Sequence, residues 1–298
     1  MRPVSIVLRV VALAFVLFAW FAIGSGIAMR GVAQPPAAGG SAAASLIAVC
    51  VLDTIILSYL ILRSHWAGWR LILAIFAVFY GVSTFMPQIE SAVFLTRLPP
   101  GMVPRFFLMG FLIAAPFSAL AVVILGKRNA ELSDVQADLG LVMPVSEWSW
   151  KLGAIAVAYV ILYFTFGYFI AWRNPAVREY YGGADPGSFL AQMGSVVRER
   201  PWLVAFQIFR AMCWVAIALP VIRMLDGDWL ETALALGITF AVLMNAQLLL
   251  PNPYMPEPVR MVHLVETASS NFIFGVLIGW LLTERRAFAR LPVVQGAA

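Results

Sequence analysis

Apolar residues run through this chain in long blocks, and the polar breaks between them carry most of its charge. A helix needs ~20 apolar residues to cross the hydrocarbon core of a bilayer. By that measure the pattern predicts spans from Val4 to Ile27, Ala43 to Leu62, Trp69 to Phe94, Phe106 to Leu125, Trp150 to Trp172, Trp202 to Leu225, Leu230 to Leu250 and Val259 to Leu282. Trp20, Trp69, Trp150, Trp172, Trp202, Trp229 and Trp280 fall near the ends of these runs, where an aromatic belt sits. The expected fold class is therefore an all-α polytopic membrane protein with eight transmembrane helices. The apolar run from Val10 to Ile23 is longer than the core of a signal peptide and no convincing cleavage site follows, so it reads as a retained first span.

Composition excludes a soluble domain: 62% of residues are hydrophobic and only 12% charged, and mean hydropathy is +0.89. Cys50 and Cys213 lie inside apolar runs and behave as small hydrophobes. The basic balance, with a pI ≈ 9.5, comes almost wholly from arginine, since Lys127 and Lys151 are the only lysines. In a membrane chain this points to loop topology and anionic headgroups, not to nucleic acid. The partners implied are membrane lipids and a small-molecule or lipid substrate.

The connections differ in character. Gly31 to Ser45 is a loop of small residues, Lys127 to Glu147 is a polar linker holding Glu131, Asp134 and Asp138, and Asn174 to Arg200 offers an amphipathic helix at the interface. Tyr180 and Tyr181 in that last loop suit a lid or a headgroup anchor. The linker at 129–149 separates residues 1–128 from residues 150–290, and the two parts look alike. Ile27, Ala28 and Arg30 match Ile170, Ala171 and Arg173, and the glycine pairs Gly39, Gly40 and Gly182, Gly183 follow them. Arg63 with Trp69 matches Arg223 with Trp229, Gln88 matches Gln247, Arg105 matches Arg260, and Lys127, Arg128 match Arg285, Arg286. The expectation is two tandem four-helix repeats. An even number of spans per copy makes them parallel, about an axis along the membrane normal.

With both termini on one side, that side holds Arg2, Arg9, Arg63, Arg70, Lys127, Arg128, Lys151, Arg223, Arg285, Arg286 and Arg290. The other holds Arg30, Arg97, Arg105, Arg173, Arg178, Arg198, Arg200 and Arg260, half of them in one long loop. The positive-inside rule then puts both termini in the cytoplasm, in a bacterial cytoplasmic membrane, with Glu90 and His263 in the external half.

Ionisable groups at membrane depth are costly and mark functional sites by default. On one helix, His263, Glu266 and Ser270 share a face at i, i+3 and i+7, with Arg260 one turn before. Glu90, His263 and Glu266 have apolar counterparts in the other copy, near Leu249, Leu108 and Phe111, so the scaffold does not require them. They are the candidate catalytic or proton-exchanging groups. Gln88, Asn245, Gln247, Arg260, Asn271, Ser270 and Arg105 are candidates for substrate binding around them. Asp53, alone in the second span, is expected to pair with Arg210 of the sixth, because a buried charge needs a partner.

The pair His263 and Glu266 with a third carboxylate resembles part of a helix-bundle metal site, yet too few histidines or cysteines accompany them, so no metal or other cofactor is expected. Lipase, zincin and P-loop motifs are absent from the sequence. The leading functional expectation is a transporter or permease for a small solute or lipid-derived anion, possibly proton-coupled, with its site between the repeats. An intramembrane enzyme acting on a lipid, with His263 as general base, is the alternative. A non-catalytic assembly subunit is the third.

Overall fold

The structure is a computed structural model and describes residues 3–32, 41–95, 98–129, 141, 143–225 and 227–283. Several sequence features lie outside the described residues: Arg2, Gly39 and Gly40, Arg97, Glu131, Asp134 and Asp138, and Arg285, Arg286 and Arg290. Eight described helices are long and apolar enough to cross a membrane. They are α1 (Pro3–Ala28), α2 (Ser41–Arg63), α3 (Gly68–Phe94), α4 (Met102–Ile124), α5 (Val145–Trp172), α8 (Trp202–Met224), α9 (Trp229–Leu249) and α10 (Glu257–Thr283). Between α5 and α8 lie the short α6 (Pro175–Tyr181) and α7 (Phe189–Glu199). Apolar residues such as Phe15, Val157, Ile161 and Val265 are exposed on the outer faces, the arrangement that lipid contact requires.

Two helices begin earlier than the apolar pattern alone suggests. α4 starts at Met102, where Gly101 takes a left-handed φ of 79° and turns the chain out of the preceding prolines. α5 starts at Val145 and takes Glu147 into its first turn, where it meets Lys151 at 3.0 Å with both side chains buried. Side-chain caps fix three other starts. Asp228 accepts the backbone N–H of Glu231 at α9, Asn174 that of Ala176 at α6, and Ser188 that of Ala191 at α7.

α1 packs on α2 and α4, and α3 on α4; α5 packs on α8 and α10, and α9 on α10. The first four spans meet the last four where α3 packs on α8 and on α9 and where α2 packs on α9. At the end of the bundle that holds residue 3, here the proximal end, the loop after α2 meets the loop after α8. Ser64 and Leu225 form an antiparallel bridge, and the His65 N–H donates to the Met224 carbonyl at 2.9 Å. Close by, Arg63 Nε and Nη2 hold Glu231 Oε1 and Oε2 at 2.6 and 2.7 Å, with the Tyr59 hydroxyl on the same carboxylate at 2.9 Å. Lys127 Nζ donates to the Ser64 carbonyl at 2.7 Å, tying α4 into the same cluster.

The tightest contact joins α9 and α10, and small residues make it. A Cβ added at Gly275 would lie 2.7 Å from the Leu236 carbonyl oxygen, and one at Gly279 would lie 2.4 Å from Ala233 Cα. The Gly275, Gly279 pair therefore serves packing inside the chain, bringing two backbones into direct contact. Replacing either glycine with valine is expected to lower thermal stability by about 1–3 kcal/mol, the usual scale of overpacking. Melting curves of the detergent-purified protein test this, and an unchanged midpoint for G279V would show that the two helices are not in contact there.

Candidate functional site

The end of α3 is shaped by Pro87. Proline has no N–H to donate to the carbonyl four residues back, and its ring crowds that carbonyl. Here the carbonyl belongs to Ser83, inside a π-helical turn over Gly81–Phe85. The widened turn lets Gln247 of α9 reach in, and its Nε2 donates to the Ser83 oxygen at 2.7 Å. Gly110 of α4 lies against the same turn, where any Cβ would overlap Thr84. π-turns inside α-helices are frequent at functional sites. Glu90 follows one turn later.

Glu90 reaches across to α8 and holds Arg210, with Nη2 donating to Oε2 at 2.7 Å and Nη1 to Oε1 at 3.2 Å. The Arg210 side chain is 3% exposed and that of Glu90 29%. Nη1 also donates to Gln207 Oε1 at 3.0 Å, one turn earlier on α8. The guanidinium lies over the rings of Tyr159 and Phe206, 5.7 and 5.9 Å from their centroids. Trp214 Nε1 donates to the Tyr159 hydroxyl, and the Tyr159 ring packs 4.7 Å from that of Phe274 of α10.

On α10, His263 Nδ1 is 2.7 Å from Glu266 Oε2, and His263 Nε2 is 3.2 Å from the Tyr181 hydroxyl of α6. The tautomer that satisfies all three groups has Nδ1–H donating to Glu266 while Nε2 accepts from Tyr181. Burial pushes the Tyr181 phenol above its ordinary range, and the negative charges of Glu90 and Glu266 add to the effect. The hydroxyl therefore keeps its proton near neutrality and remains a donor. Arg210 with Glu90 and Tyr159, and His263 with Glu266 and Tyr181, thus make up the polar layer in the distal half of the bundle. α6 covers it: Val177, Tyr180 and Tyr181 pack with Ala171, Val259 and Val262, and the Tyr180 hydroxyl donates to the Tyr254 carbonyl.

The remaining candidates hold other positions. Asn245 Nδ2 donates to the Ala241 carbonyl, and its Oδ1 accepts from Thr267, which joins α9 to α10. Ser270 donates back to the Thr267 carbonyl. Asn271 is 6% exposed and its Nδ2 has no partner, as is the case for Gln88 Oε1, among the described residues. Arg260 Nη1 holds the carbonyls of Leu248 and Leu250, closing the end of α9, and Arg105 Nη1 holds those of Ala28 and Arg30, closing the end of α1. Both arginines are thus turned to helix-terminal carbonyls, which lack intrahelical donors.

The expected pair of Asp53 with Arg210 does not form. α8 packs along α3 and presents Arg210 to Glu90, whereas α2 packs along α9. Asp53 is wholly buried, and neither of its carboxylate oxygens has a hydrogen-bond partner among the described residues. No group of three His, Cys, Asp or Glu side chains suited to a metal gathers among the described residues. Three participants went unnoticed in the sequence: Gln207, Tyr159 and the link from Tyr181 to His263. The spacing of Gln207 and Arg210 at i, i+3 is a legible signal, but nothing local announces a phenol delivered from another segment.

Comparison with protein-family models, with curated proteins and with solved structures finds no match to this chain.

Removing one partner of a buried ion pair leaves the other uncompensated and costs about 3–5 kcal/mol. E90Q and R210Q are each expected to lower the melting midpoint markedly, and E90Q/R210Q to recover part of the loss. Additive losses in a double-mutant cycle would rule out the pair.

Proposed function

We propose that this chain is a secondary carrier that moves a small polar solute together with protons, by rocking of two four-helix halves about a site in the distal part of the bundle. The observation that carries the reading is the placement of two bidentate arginine–carboxylate pairs between the halves. Arg63 with Glu231 joins α2 to α9 at the proximal end, and Glu90 with Arg210 joins α3 to α8 toward the distal end. Opening to either side breaks one pair and keeps the other, which is what alternating access asks of its gates. Beside the distal pair, Tyr181, His263 and Glu266 form a hydrogen-bonded path for a proton.

Duplication of a four-helix unit supports the same reading. Aligning Arg63 and Trp69 with Arg223 and Trp229 makes the loops after α2 and α8 equivalent, and these loops pair with each other antiparallel, which is a two-fold relation. The contacts of α3 with α8 and of α2 with α9 are exchanged by the same operation. Cytoplasmic placement of the proximal end follows from Arg63, Arg70, Lys127 and Arg223.

A second reading, an enzyme acting on a lipid, draws on one observation: an imidazole oriented by a carboxylate lies near one end of the bundle, against α6, which leads into the amphipathic α7. The two readings separate in proteoliposomes containing a pH-sensitive dye, pulsed from outside with a pool of amino acids, sugars and organic acids. The carrier reading expects solute addition to change the luminal pH. H263A and E266Q are expected to slow that change by roughly 10²-fold, the scale of losing a positioned proton donor. Protein that never links solute addition to luminal pH is not this carrier.

A further inference from the structure

Resting on the carrier reading, we infer that Arg210 is the anchor for a carboxylate substrate and that Glu90 stands in for that substrate while the carrier is empty. The shape of the site argues for a carboxylate. Arg210 presents Nη1 and Nη2 to two oxygens of one planar group, and Glu90 already shows that such a group fits.

The surroundings have more donors than Glu90 uses. Arg210 Nε and Gln207 Nε2 are buried and have no partner among the described residues. Gln207 is wholly buried and bonded to Arg210 through its other amide atom, so the free nitrogen lies at the same spot. Asn271 Nδ2 is a third such donor. It lies one turn before Phe274, whose ring packs on Tyr159, the ring beneath the guanidinium. Buried polar atoms are rarely left unpaired in proteins. A guanidinium with an unused N–H and two further unpaired amide donors on the helices around it are the complement of an anion with several lone pairs.

Charge balance then fixes the coupling. The buried pair of Arg210 and Glu90 is neutral, and adding an anion beside it leaves a net negative charge in a site of low dielectric. Glu90 can leave Arg210 to the incoming carboxylate if it takes up one proton. The substrate arrives with one negative charge, Glu90 loses one, and the loaded site is neutral again. One proton therefore moves with each monocarboxylate. Of the titratable and charged groups in this layer, Arg210 from α8 holds Glu90, His263 and Glu266 from α10 and Tyr181 from α6 are bonded to one another, and Tyr159 from α5 lies beneath the guanidinium. Arg105 of α4 is held on the Ala28 and Arg30 carbonyls.

The test measures benzoate binding to the detergent-purified full-length protein by calorimetry, at about pH 5 and about pH 8 on either side of the histidine range. Sodium chloride and inorganic phosphate at matched ionic strength are the control anions. Wild type is expected to bind benzoate at least about tenfold more tightly at the lower pH. E90Q, whose Arg210 lacks its internal anion, is expected to bind at both pH values with the affinity of acidic wild type or better, and to gain thermal stability from benzoate. R210Q is expected to lose binding, and should it fail to fold, the E90Q arm decides alone. Equal affinity of E90Q and wild type at the higher pH overturns the inference, as does an equal response to chloride. The carrier reading fails separately. Luminal pH changes driven only by solutes without a carboxylate keep the carrier and end the anion site, whereas benzoate binding without any solute-linked pH change does the reverse.

Discussion

A guanidinium cannot lose its charge, so an arginine sunk among membrane helices must be matched by something negative or pointed at water. Arg210 is 2% exposed, and the group that matches it comes from the other half of the chain. Much of the distal architecture serves that match. Pro87 frees the Ser83 carbonyl, the π-turn makes room for Gln247 to occupy it, and α3 then continues one turn to present Glu90 to α8. Tyr159 supplies a ring face beneath the cation, with Trp214 and Phe274 holding that ring in place.

The second contact between the halves has its ion pair at the opposite end. Arg63 is 53% exposed and Glu231 24%, so this pair is wetter and weaker than its distal counterpart. Within each set of four spans the contacts are closer: backbones touch at Gly275 and Gly279, and Arg105 and Arg260 close helix ends.

The spans were legible because apolar length is a direct measure of what a bilayer demands, and the eight stretches read from the sequence coincide with eight helices within a few residues. Part of the site was legible for a similarly local reason. His263 and Glu266 are three residues apart on one helix, and that spacing alone brings their side chains to 2.7 Å. The outcome at Arg210 differs. Asp53 was the carboxylate nearest in the register that an expected repeat would give, yet Glu90 holds the guanidinium. Tyr181 reached His263 from a connection whose sequence reads equally well as a headgroup anchor.

By itself, then, the sequence determined an all-helical membrane bundle, its spans to within a few residues and the pairing of His263 with Glu266 on one helix, because rise per residue and helical period are properties of the backbone. Only the tertiary structure decided which helices are neighbours and hence which charges meet. Lipid is as apolar as the helix faces it surrounds, so hydrophobicity does not choose between possible partners. That choice falls to close contacts of small residues, as at Gly275 with Leu236, and to a π-turn that re-aims one carboxylate. Neither is written in the pattern of apolar and polar positions.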